Sequence, residues 1–190
     1  MISILGFIFI VLFFALIIGR VILAKMHGLN ILVLGKKDKR ELIFWVFYLI
    51  LLYIIAANCF NLPMIKSVNT LFWNNDAIRI FGVILCSLGI LGFIICMVVF
   101  GNSVRIGIDH ENAGKLTTTG IYAYSRNPMY LSFQLLFLGE FFIFPNIGLV
   151  AVCIVAFITF HITILKEEAF LKQHYGDDYK AYCKKVRRYL

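Results

Sequence analysis

No Cys-x-x-Cys pair occurs among the five cysteines, Cys59, Cys86, Cys96, Cys153 and Cys183. Neither a disulfide framework nor a zinc cluster is therefore indicated. Cys86, Cys96 and Cys153 lie inside apolar runs and read as buried free thiols. Histidine is equally uninformative for metal, since no second His stands at a ligand spacing from His161. Acidic residues are few, 10 against 18 Lys and Arg, and no nucleophile–base pair stands out. The N-terminal run "MISILGFIFIVLFFALIIGRVILAK" lacks a basic leader and a clean small-residue cleavage site, and its apolar stretch is too long for a signal peptide. It reads as a retained first helix.

What is abundant is apolar surface. Hydrophobic residues make up 62% of the 190, with a mean hydropathy of +0.91, well above the roughly one-half usual in soluble domains. A bilayer core takes about 20 apolar residues per helix. Five segments meet or approach that length, at about Ile2–Ala24, Leu42–Phe60, Ala77–Phe100, Pro128–Phe144 and Ile147–Leu165. Pro145 and Asn146 break the last two into a helical hairpin. Gly82, Gly89 and Gly92 in the third segment either admit a close neighbour or reflect simple tolerance of glycine. The fold class is thus all-α, a polytopic membrane helical bundle of about five transmembrane helices with a C-terminal helical tail. Residues 1–100 hold three spans, and residues 101–190 form a second half of loop, hairpin and tail.

Charge sets an expected orientation. With five spans, fifteen of the eighteen basic residues fall on one side, in the first loop, the third loop and the tail. Only Lys66 and Arg79 face the other way, and Arg20 can snorkel from the first helix. That places the N-terminus outside and the C-terminus in the cytoplasm, in a multi-pass protein of the prokaryotic inner (plasma) membrane. The net charge of +8 is then a topology signal, helped by anionic membrane lipid, and needs no nucleic acid.

Polar residues gather in two blocks on that expected cytoplasmic face, "GNSVRIGIDHENAGKLTTTGIYAYSRN" and "KEEAFLKQHYGDDYKAYCKKVRRYL". Pro128 suits a helix start, Asn127 suits its cap, and Arg126 suits the interface. Gly114 and Gly120 flank the polar "KLTTT" loop, and Tyr122, Tyr124 and Tyr130 stand beside it. Glu167 and Glu168 directly follow an apolar run, where they either anchor at the interface or accept hydrogen bonds from a ligand. His161 and Glu168 are two turns apart on one helical face, and Thr163 and Glu167 one turn apart. In the tail, Phe170, Leu171, Tyr175, Tyr179, Tyr182, Val186 and Tyr189 recur at steps of three or four. Broken at Gly176, these predict two short amphipathic helices, with Asp177 or Asp178 opening the second. Glu140, near the outer end of the fourth segment, is either functional or reaches the outer interface.

"GKLTTTGIYAYSRNPMYL", a hairpin, and then "EEAFLKQHYGDDYKAYCKKVRR" together resemble the isoprenylcysteine carboxyl methyltransferase family, whose plan phospholipid methyltransferases share. The resemblance spans about residues 101–190. It implies an S-adenosylmethionine-dependent methyltransferase acting on a lipid-like or apolar acceptor at the cytoplasmic interface. Carried over by position, the cofactor residues are Gly114, Lys115, Leu116, Thr117, Tyr122, Asn127, Pro128, Met129, Tyr130 and Glu167, and the catalytic candidates are Arg126, Asn127 and Glu168. Many members have His where this chain has Asn127, so no imidazole base is available there. Eukaryotic members place an arginine four residues before the glutamate, where this chain has Thr163. Two other readings stand beside this one. One is an NADPH-dependent enzyme like the sterol reductases, against which Met129 and Ser132 argue. The other is a non-catalytic membrane protein of the same fold.

Overall fold

In a bilayer the backbone must pair its own N–H and C=O groups, as a helix or a closed barrel does. Continuous apolar runs of Leu, Ile, Val and Phe, without the alternation of barrel strands, fold as helices. The computed structural model, which describes residues 1–26, 43–100 and 116–190, is helical in each of the five expected places. Its helices are α1 (Ile2–Met26), α2 (Ile43–Phe60), α3 (Lys66–Asn69), α4 (Asp76–Phe100), α5 (Pro128–Ile143) and α6 (Ile147–Lys185), with a 3-10 turn at Gly120–Ala123. Among the described residues there is no β-strand, only an isolated bridge between Leu71 and Asn146. Helices α1, α4 and α6 are long and apolar enough to cross a membrane, while the apolar stretches in α2 and α5 are shorter. Gly114 and Lys115 lie outside the described residues, as do the basic residues of the first loop beyond Lys25.

Helices α4 and α5 approach until their backbones nearly touch. A Cβ added at Gly82 would sit 2.7 Å from the Gly139 carbonyl oxygen, and one at Gly89 would sit 2.8 Å from both the Leu136 nitrogen and the Ser132 oxygen. At Gly92 the obstacle would be the Ser132 Oγ at 2.6 Å. These glycines are therefore packing residues, which decides between the two readings of the run. Such close approach is how membrane helices gain dispersion contacts where lipid already matches their apolarity. An aromatic cluster ties the other helices to this pair. The Phe13 ring of α1 lies 5.4 Å from Phe93 of α4 and 5.1 Å from Phe133 of α5, and Phe137 stacks on Phe160 of α6 at 6.0 Å.

The turn between α5 and α6 is built as its sequence indicates. Asn146 caps α6, its Oδ1 accepting from the Leu149 amide at 3.0 Å, and the Pro145 carbonyl accepts from Phe72 N at 2.7 Å. At the same end, Arg79 donates to the Ile143 carbonyl (3.2 Å) and to Ser3 Oγ (2.6 Å), joining α4, α5 and α1. Glu140 does not reach the interface there: it is 0% exposed. Gly6 makes room for it, since a Cβ on Gly6 would lie 3.0 Å from Glu140 Oε2. Cys86 and Cys96 are buried as expected, Cys153 is half-buried, and all five thiols are free.

The tail departs from the expected pair of short helices. The apolar span 147–165 continues without interruption through Lys166, Glu167 and Glu168, so the first tail segment is an extension of α6. Only at Gly176 (φ 55°, ψ −120°) does the backbone leave helical geometry. That left-handed conformation is one that glycine adopts freely, and the predicted break is there. A second helical segment then runs to Lys185, with Asp177 accepting from Lys180 Nζ at 2.7 Å.

Candidate functional site

Three clusters lie at the end of the bundle that carries the tail. The first forms between α5 and α6. Tyr130, in the first turn of α5, donates its hydroxyl to Glu167 Oε1 at 2.8 Å. Tyr122, on the 3-10 turn, is 6% exposed and adjoins this pair. Burial pushes the Tyr122 phenol well above its ordinary value, and the nearby Glu167 carboxylate adds to the shift. The turn is pinned in place because Tyr182 donates to the Tyr122 carbonyl at 2.6 Å. A half-buried carboxylate flanked by two phenols can accept further hydrogen bonds from a hydroxyl or an amine and can favour positive charge nearby.

The second cluster centres on Glu168. Consecutive helical residues point about 100° apart, so this carboxylate serves other partners than its neighbour. Its Oε1 accepts from Arg126 Nε (3.2 Å), Arg126 Nη2 (3.0 Å) and Asn127 Nδ2 (3.3 Å). Its Oε2 accepts from Arg188 Nε (3.0 Å) and Nη2 (2.8 Å). Arg126 also donates through Nη1 to the carbonyls of Cys183 and Val186, capping the last turn of the tail. The side chains of Arg126 and Glu168 are each 12% exposed. Burial alone would raise the carboxyl's pKa. The Arg188 hydrogen bonds and the charge and hydrogen bonds of Arg126 outweigh it, holding Glu168 below the usual carboxylate range.

Asn127 does not cap α5. Although it occupies the N-cap position, its side chain makes no capping hydrogen bond. Its amide donates instead to Glu168 and to the Arg188 carbonyl at 3.1 Å. The reason is orientation: with Nδ2 held by a carboxylate, a strong acceptor, and by a second acceptor from the tail, the side-chain oxygen that would accept from the first-turn amides is turned away from them. Among the described residues no side chain caps the first turn of α5, which leaves amide donors at that helix end. Pro128, at the first helical position, has no N–H to leave unpaired.

The third cluster is the loop against the tail. Leu116 packs on Tyr179, Tyr182 and Val186. A cleft of about 590 Å³ opens there, lined by Leu116 and Thr118 on one side and by Asp178, Tyr182 and Lys185 on the other. Thr117 is half-buried in the same strip, and Met129 packs into the bundle core. The structure thus joins Arg126, Asn127 and Glu168, and separately joins Tyr130, Glu167 and Tyr122. Sequence reasoning singled out neither Arg188 nor Ser125 as site residues. Ser125 Oγ accepts from Asn127 N at 3.1 Å and donates to the Arg188 carbonyl at 3.3 Å. The available signal was two unpaired arginines, Arg187 and Arg188, ending a tail that faces two glutamates. No group of His, Cys, Asp and Glu suited to a metal ion occurs among the described residues.

The pairs Tyr130–Glu167 and Asn127–Glu168 bridge two stretches that fall within one region shared with known proteins. Over 72 residues the chain is 39% identical to a protein-S-isoprenylcysteine O-methyltransferase of Schizosaccharomyces pombe. That stretch is 37% of this chain and 30% of the yeast protein, so the chain matches under a third of its relative's length. Residues 77–178 match the phospholipid methyltransferase family and take in α4, α5 and most of α6. The chain belongs to the phospholipid methyltransferase family.

Proposed function

We propose that this protein is an integral membrane methyltransferase that binds S-adenosylmethionine at the tail-bearing end of the bundle and methylates a lipid-like acceptor. The observation that carries the reading is the Tyr130–Glu167 hydrogen bond of 2.8 Å beside a helix start that its own N-cap residue, Asn127, leaves uncapped. The residues present fit such a cofactor. Uncapped amides at the first turn of α5 suit its carboxylate. Glu167 suits the hydroxyl pair of its ribose or its amino group, and Tyr122 and Tyr130 offer aromatic faces to a sulfonium. Leu116, Thr117, Pro128 and Met129 join the proposed site by family position, with Leu116 packed on the tail and Met129 against the core. Gly114 and Lys115 belong to this proposed site by family position alone.

Bound S-adenosylmethionine supplies an electrophilic methyl group with a neutral thioether as leaving group. What the chain must add is binding, orientation and exclusion of water, which suffices for an acceptor that is already nucleophilic. The buried tyrosines and the seated tail supply that exclusion. Arg126, Asn127 and Glu168 act as a clasp that sets the position of α5 relative to α6. Asn127 holds its proton on an amide and cannot serve as a titrating base. The outward side chains of α6 at Ile154, Phe157, Ile158 and Ile162 are exposed and apolar, which suits an acceptor presented from the bilayer. The S. pombe relative's name includes isoprenylcysteine. With Thr163 in place of the family arginine, we assign this chain a lipid-like acceptor without a prenylcysteine-specific contact.

Isothermal calorimetry in detergent with S-adenosylhomocysteine tests this reading. Glu167→Ala and Tyr130→Ala should each weaken binding at least about tenfold, or ~1.4 kcal/mol, without unfolding the bundle. Unchanged affinity in both variants would remove the site from α5 and α6.

A further inference from the structure

Arg188 lies beyond the end of α6, yet it touches the clasp through both its side chain and its backbone. The guanidinium donates twice to Glu168 Oε2, and the Arg188 carbonyl accepts from Asn127 Nδ2 and Ser125 Oγ. The preceding carbonyl, that of Arg187, accepts from Arg126 N at 3.0 Å. Further along, the Tyr189 hydroxyl lies 2.6 Å from His161 Nδ1, so the segment after Val186 is pinned back along α6. The consequence at α5 is specific. Asn127 would cap its own helix if left to local forces, and it is held off by Glu168 and the Arg188 carbonyl together. Without the Arg188 side chain, Oε2 of Glu168 loses both of its donors; the residue-188 carbonyl remains, so Asn127 is released as the unbraced carboxylate turns away from its amide. A short polar side chain freed beside unsatisfied helix amides turns to cap them.

We infer that Arg188 is a positioning residue for the cofactor site: acting through Glu168, it holds Arg126 and Asn127 so that the first turn of α5 stays open to a ligand. This rests on the reading of that helix end as part of the S-adenosylmethionine site. The influence of Arg188 on binding runs through a carboxylate twenty positions upstream.

The test is S-adenosylhomocysteine affinity by calorimetry for the full chain in detergent, measured well below each variant's unfolding temperature. Arg188→Ala should weaken binding about tenfold. Arg188→Gln keeps the stem and one donor group, should weaken it less, and replaces the alanine variant if that one does not fold. In a Glu168→Gln background, Arg188→Ala should add less than about twofold, because both substitutions break one path. A lowered unfolding temperature with unchanged affinity would mean that Arg188 only holds the tail, and would overturn the inference. Full additivity with Glu168→Gln would overturn it too. Failure of the unaltered protein to bind would instead overturn the site reading on which the inference rests.

Discussion

Glu167 and Glu168 are adjacent in sequence and serve different partners in space. Glu167 faces the half-buried Tyr130, whereas Glu168 is gripped by Arg126 and Arg188. The grip has a pH signature. A carboxylate whose folded pKa lies below its unfolded value, ordinarily about 4.3 for Glu, contributes its stability above that unfolded value. The contribution is lost only as pH falls through the lower, folded value. Protection of the Val186 amide and of the Arg126 amide, which donates to the Arg187 carbonyl, read by hydrogen exchange corrected for intrinsic rates, should therefore hold steady from about pH 8 to about pH 5. It should weaken only below about pH 4, and Glu168→Gln should remove that acid transition. Loss of protection already near neutral pH would show that another group controls the tail. The glutamate pair was legible as a candidate site because two carboxylates at the end of an apolar run need partners. The division of labour was not legible, since Arg188 and Asn127 reach Glu168 across 20 and 41 residues. Asn127 shows the same limit from the other side. Its place before Pro128 predicts a cap from local chemistry, and a non-local carboxylate takes its amide away.

At the scale of elements, hydropathy located the helices closely. The third expected span began at Ala77 and the helix begins at Asp76; the fourth was expected to end at Phe144 and ends at Ile143. The length of α6 was hidden, because composition turns polar at Lys166 while the backbone continues. "KEEAFLKQ" is rich in strong helix formers, so nothing stops the helix until Gly176. What α4 does with its glycines required coordinates. A Cβ at Gly89 meets backbone atoms, which cannot swing aside as a side chain can. Gly89→Ala should thus force α4 and α5 apart and cost about 1–3 kcal/mol, read as a lower thermal unfolding midpoint in detergent. Gly19→Ala is the matched control, since a Cβ there meets nothing within 4 Å. Equal midpoints for the two variants would show that the α4–α5 contact is not tight.

At the scale of the whole molecule, the two ends of the bundle are built differently. One end is closed by Arg79, Asn146 and the Pro145 turn; the other carries the polar clusters and the folded-back tail. From the skew of Lys and Arg we propose that the second end faces the cytoplasm. A reporter fused after Leu190 should accordingly read cytoplasmic, and one inserted at Pro63 should read external. The reverse pattern would invert the proposed topology and detach the site from the cytoplasm. The central claim, that this end of the molecule holds S-adenosylmethionine, is tested most directly by offering the unaltered protein two ligands in the same calorimeter. Saturable one-to-one binding of S-adenosylhomocysteine is expected, with no heat from NADPH. Binding of NADPH, or of neither ligand, would contradict the claim.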